Sequence, residues 1–155
     1  KTGREIIDQL GEKVDAFVAS IGVGGTLYGV SKALREVYPD VQIIGLEPAS
    51  ANYPMSEGYT RVPGTADEVC GGIIEEMMLS GIIDEILKVT NEEAIETARR
   101  LAVEEGILSG ISCGAAVAVA IRLARLPENA SKTIVVILPD SGERSLSRVL
   151  FEGVA

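Results

Sequence analysis

Two rhythms alternate along this chain: short β-rich apolar runs, and stripes of apolar residues at helical spacing. The runs fall at residues 14–20, 41–46, 85–89 and 133–138, and each predicts a strand. Between them, "TLYGVSKALREVYPD" (26–40) sets Leu27, Val30, Leu34 and Val37 on one stripe that Pro39 stops. "TNEEAIETARRLAVEEG" (90–106) opens with Thr90 and Glu93 as a capping box and ends at Gly106. "TGREIIDQLG" repeats the device, with Thr2 and Glu5 as the box and Gly11 as the stop. "SCGAAVAVAIRLARL" (112–126) is apolar on nearly every face up to Arg122, which predicts a helix buried through its first turns.

Strands alternating with helices predict an α/β fold: a doubly wound, mostly parallel sheet with helices on both faces, in three αβα layers. A length of 155 residues suits a single α/β domain over residues 1–155. No repeat or low-complexity segment interrupts it. Residues 48–72 break every period with Pro48, Pro54, Gly58, Pro63, Gly64, Gly71 and Gly72, and are expected to form an irregular, functional loop.

Charge and composition remove several function classes. Apolar residues make up 46%, enough for a packed core, and the net charge of −9 argues against nucleic acid and anionic membranes. The longest uncharged stretch, 107–121, is shorter than the roughly 20 residues of a bilayer span, and the charged opening does not read as a signal peptide. Cys70 and Cys113 are far apart and in no CxxC, so packing in a reducing cytosol is the expectation, and a cytoplasmic location with it. With no histidine present, Ser-His and Cys-His pairs and His-ligated metal sites are excluded.

The chemistry concentrates at "GVGGT", residues 22–26, where the first predicted strand hands over to a helix. A helix N-terminus offers free N–H groups and the positive end of its dipole, and glycines let backbone wrap an anion closely. Phosphate is the natural guest, with Thr26 as an added hydroxyl. A tight turn without ligand is one reading. A dinucleotide fingerprint is another: Gly22 and Gly24 fit GxGxxG, Leu27 takes the third glycine's place, and Glu47 stands where a ribose-binding acid belongs. A P-loop is excluded, since no Gly-Lys-Ser/Thr follows. The pattern alone does not separate a dinucleotide from a monophosphate. Ser112, at the start of its helix, reads locally as an N-cap. Pro139 and Asp140, at the carboxyl end of the last strand, read either as pocket lining or as a plain turn.

"GVGGT", "EEGILSGISCGAAVAVA" (104–120) and "IVVILPDSGERSLS" (134–147), in that order, closely resemble the cysteine synthase family (O-acetylserine sulfhydrylases). These are enzymes dependent on pyridoxal 5′-phosphate (PLP), with the tryptophan-synthase β-type fold, also called fold-type II. The likeness runs from "TGREI" to about Leu150. It implies that Gly22, Val23, Gly24, Gly25 and Thr26 cradle the PLP phosphate and that Ser112 hydrogen-bonds the pyridine nitrogen. It implies β-replacement on an O-activated L-serine with sulfide to give L-cysteine, in an enzyme that is a homodimer when complete and takes a serine acetyltransferase as a possible partner.

The sequence also departs from that family. Val23 replaces a threonine of the usual GTGGT, "VCGGI" stands nearest to a substrate-side "GIG", and Ser145 replaces the tyrosine of "GERY". The Schiff-base lysine and the asparagine-containing substrate loop belong to an earlier part of the family's chain and have no counterpart here. Lys1, Lys13, Lys32, Lys88 and Lys132 all have the polar surroundings of a solvated face. The chain thus resembles the C-terminal portion of such an enzyme. It would carry cofactor-binding residues but no catalytic one, and would need the N-terminal portion to act.

Overall fold

The computed structural model describes residues 1–21, 24–48, 73–145 and 150. Four strands form one parallel sheet: β1 (Ala16–Ser20), β2 (Gln42–Pro48), β3 (Glu85–Val89) and β4 (Ile134–Val136), in the order β3-β2-β1-β4. Val18 of β1 stands in register with Ile44 of β2 and Val136 of β4. The expected strands are all present, with β1 and β4 shorter than their apolar runs. β2 extends to Pro48, which pairs with Val89, so Pro48 belongs to the strand and not to the expected loop. The rest of that expected loop, 49–72, and Cys70 with it, lies outside the described residues.

Alternation along the strands sorts the core onto two faces. Val18, Ile44, Leu46 and Val89 pack against α4 (Asn91–Glu104) and α5 (Ile111–Ala124). Phe17, Ala19 and Ile43 pack against α1 (Thr2–Leu10), α2 (Gly25–Val37) and α3 (Ile73–Ser80). The doubly wound, three-layer expectation holds, and its cause is physical: a parallel sheet has no solvated face, so both sets of alternating residues are apolar. α5 meets the sheet almost without large side chains. Ala115, Ala116, Ala118 and Val119 are buried, as the all-round apolar pattern predicted.

Three local expectations are corrected. Thr2 and Glu5 do not form a capping box: Lys1 occupies the cap position, and its carbonyl accepts from Arg4 and Glu5, so Thr2 lies inside the first turn of α1. Val37, expected on the buried stripe, is 43% exposed at the last residue of α2. α3 was not anticipated; its eight residues hold Met77 in the core and end before Gly81, which has φ +67. Other signals hold. Thr90 Oγ1 accepts the Glu93 amide at 3.1 Å, while the Glu93 carboxylate turns to Arg122 of α5. Gly11 ends α1 in the left-handed region, donating to the Ile7 carbonyl.

Candidate functional site

The strand order places a switch point between β1 and β4. β1 leaves through α2 on one face toward β2, whereas β4 is entered from α5 on the other face. At such a point the connections diverge and leave a crevice outside the carboxyl ends of the strands. α2 starts five residues after β1 ends, and the start of α5 is tied to the segment leaving β4. The Gly110 amide donates to the Asp140 carbonyl at 3.1 Å, and the Gly142 amide donates to the Leu108 carbonyl at 3.2 Å. Two helix N-termini therefore open at the same end of two adjacent strands.

Of the five glycine-loop residues, Gly24, Gly25 and Thr26 are described, and Gly22 and Val23 lie outside the described residues. Gly24 is the cap residue of α2, in the left-handed region at φ 87, and offers no side chain to cap the first turn. Only glycine adopts that backbone readily. Among the described residues, a Cβ on Gly25 would meet nothing within 4 Å. The positive end of a 13-residue helix and a glycine cap without a side chain are what an anion seat requires.

Ser112 answers the N-cap reading in the negative. The cap residue of α5 is Gly110, whose carbonyl accepts from Cys113 and Gly114, and Ser112 lies one residue inside the helix. Its hydroxyl is buried and has no hydrogen-bond partner among the described residues. The next residue, Cys113, is also buried and donates its thiol to the Asp140 carbonyl at 3.3 Å, so it packs and ties α5 to the segment after β4. A side chain on Gly110 would lie 2.9 Å from Asp140 Oδ2, which is why this junction carries a glycine. Asp140 thus serves the junction through its carbonyl, while its carboxylate accepts the Ser141 amide at 2.9 Å.

Glu47 does not stand ready for a ribose. Its residue is 6% exposed, one carboxylate oxygen lies 3.9 Å from Lys88 Nζ, and the other has no partner. Burial pushes this carboxyl above its ordinary range, with Lys88 pulling partly the other way. All five lysines of the chain are exposed. Sequence reasoning passed over Ser109, whose hydroxyl is buried and unpartnered like that of Ser112. The available signal was its place just before Gly110, at the entrance of an otherwise apolar helix.

Among the described residues no group of His, Cys, Asp or Glu suits a metal ion, and no helix is long and apolar enough to cross a membrane. Residues 1–140 match the family described as pyridoxal-phosphate dependent enzyme. A cysteine synthase of Staphylococcus aureus is 42% identical over 151 residues, which are 97% of this chain and 48% of that protein. Among solved structures, isoform 3 of O-acetyl serine sulfhydrylase from Entamoeba histolytica aligns with a TM-score of 0.87 at 30% identity, over 99% of this chain and 45% of that one. An O-acetylserine dependent cystathionine β-synthase from Helicobacter pylori aligns with a TM-score of 0.84 at 33% identity, over 97% and 48%. The chain spans about half the length of the curated relatives it matches.

Proposed function

The chain belongs to the pyridoxal-phosphate dependent enzyme family, and from that premise we propose that it is the C-terminal part of a cysteine synthase-like enzyme. The whole enzyme would replace the activated oxygen substituent of an O-activated L-serine with sulfide. The observation that carries this reading is Ser112: a buried, unpartnered hydroxyl that does not cap its helix, at the switch point beside an anion seat.

The residues present fit the cofactor. The α2 N-terminus, with Gly24, Gly25 and Thr26 and the preceding Gly22 and Val23, would hold the phosphate. Ser112 would face the ring nitrogen. When bound, PLP supplies an electron sink for charge developing on the substrate's α-carbon. A hydroxyl partner, unlike a carboxylate, does not hold a positive charge on the ring nitrogen, and so favours loss of a β-substituent over transamination. The wall built by this chain would hold the cofactor, and it has no buried lysine to act as the base. The exposed lysines leave the covalent attachment and the movement of the α-proton to the N-terminal part of the enzyme. The same reading takes the complete enzyme as a cytoplasmic homodimer with a serine acetyltransferase as a possible partner.

The test is to add PLP to the chain, reduce with borohydride and map the peptides by mass. The expected result is PLP binding that inorganic phosphate displaces, lysine adducts spread over several positions, and no turnover of O-acetylserine and sulfide. One stoichiometric adduct at a single lysine together with turnover would overturn the assignment. So would binding of NAD in preference to PLP.

A further inference from the structure

Two buried hydroxyls, not one, are left without partners at the start of α5. Ser109 Oγ is as deeply buried as Ser112 Oγ, each residue being 2% exposed. The two do not bond to each other, since neither has a partner. Both lie where the segment before α5 meets the segment after β4.

The backbone fixes the direction of Ser109. It forms an antiparallel bridge with Ser141, flanked by the Gly110–Asp140 and Leu108–Gly142 hydrogen bonds. Extended residues point alternately to opposite sides. Gly142 faces the Leu108 side chain, and Gly110 faces the Asp140 side chain, so both belong to one side of this short ladder. Ser109 occupies the other side. Ser109 shares that side with its bridge partner Ser141, which is exposed, yet the Ser109 side chain itself is buried.

A buried hydroxyl without a partner costs about 1–3 kcal/mol, so each such group in a folded chain calls for a reason. Ser109 caps no helix, since Gly110 holds that position without a side-chain bond. It closes no turn. An alanine would fill the same space without the cost. A ligand in the crevice that α5 opens onto would provide the missing partner, as proposed for Ser112.

We propose that Ser109 is a second cofactor-binding hydroxyl, which together with Ser112 orients the ring of the bound cofactor. This rests on the function proposed above and deepens it: the anion seat fixes the phosphate end, and two hydroxyls spaced three residues apart fix the opposite, ring end. One hydrogen bond leaves a planar ring free to rotate about that bond; a second removes the rotation.

The experiment uses the chain with 4-deoxypyridoxine 5′-phosphate, which keeps the ring and phosphate but lacks the aldehyde, so lysine adducts do not enter. Inorganic phosphate serves as the ring-free probe. Affinities are measured by calorimetry for the parent, Ser109→Ala, Ser109→Cys and Ser112→Ala, with a thermal melt and a ring absorption spectrum for each. Ser109→Ala is expected to weaken the ring-bearing probe about fivefold, shift its bound spectrum, leave inorganic phosphate binding unchanged and not lower the melting temperature. Ser109→Cys, of similar size, is expected to recover part of the loss. If Ser109→Ala binds the probe like the parent while Ser112→Ala is weakened, the role of Ser109 is overturned and the proposed function stands. A lowered melting temperature with unchanged affinity and spectrum marks a structural serine and overturns it equally. If the parent does not distinguish the probe from inorganic phosphate, both proposals fall.

Discussion

Gly114 of α5 lies directly against the carbonyl of Ala94 in α4: a Cβ built on Gly114 would stand 2.1 Å from that oxygen and 2.7 Å from the Ala98 nitrogen. The obstacle is backbone on a packed helix, with no side chain to swing aside. Gly114→Ala must therefore push the two helices apart, although alanine favours helices more than glycine does. The expected cost is about 3 kcal/mol or more, read as a drop in the urea midpoint. Unchanged stability would mean that α4 and α5 are not this close.

The proposed anion seat makes a second prediction at Gly24. Aspartate there adds a Cβ at a left-handed backbone position and places a carboxylate on the amides an anion would use. Gly24→Asp is expected to lower inorganic phosphate affinity at least tenfold by calorimetry, while Gly24→Ala, which adds strain without charge, loses less. Equal binding by parent and Gly24→Asp would place the anion elsewhere.

Asp15 joins the amino ends of β1 and its edge neighbour β4, accepting the Thr133 amide at 2.9 Å before β4 begins. That bond, with Lys13 beside it, holds the Asp15 carboxyl below its ordinary value against the opposing effect of burial. A lowered pKa gives stability that is present above the unfolded-state value and lost as pH falls through the folded one. The parent is expected to be more stable than Asp15→Asn at pH 7, with the gap closing in strongly acidic buffer. Urea midpoints at both pH values check it; a gap that widens on acidification refutes the linkage.

Glu47 has the opposite sign. Burial raises its carboxyl pKa, so its folded state favours the neutral acid. The associated stability is present at low pH and declines as pH rises through the raised value. Glu47→Gln is expected to remove that decline, and at pH 8 to be at least as stable as the parent. Denaturation at pH 5 and pH 8 measures it. A variant that loses more stability at pH 8 than at pH 5 would show that the pair with Lys88 outweighs the cost of burying the charge.

Local patterns by themselves determined the alternation of strands and helices, the buried face of α2 through Leu27, Val30 and Leu34, and the stops at Gly11 and Gly106. These are legible because side-chain period and turn chemistry act within a few residues. Three motifs in order were enough to point to the family and to mark Gly24, Gly25, Thr26 and Ser112. Only the tertiary structure decided that Gly110 and not Ser112 begins α5, because the cap depends on where the segment after β4 ties the chain down. It alone brought the starts of α2 and α5 to the same end of β1 and β4, since strand order is a long-range choice that no local period records. It alone separated two serines three residues apart from ordinary helix-entrance serines. A hydroxyl's lack of a partner is a property of everything packed around it, and the chain around Ser109 and Ser112 leaves both buried and unpaired.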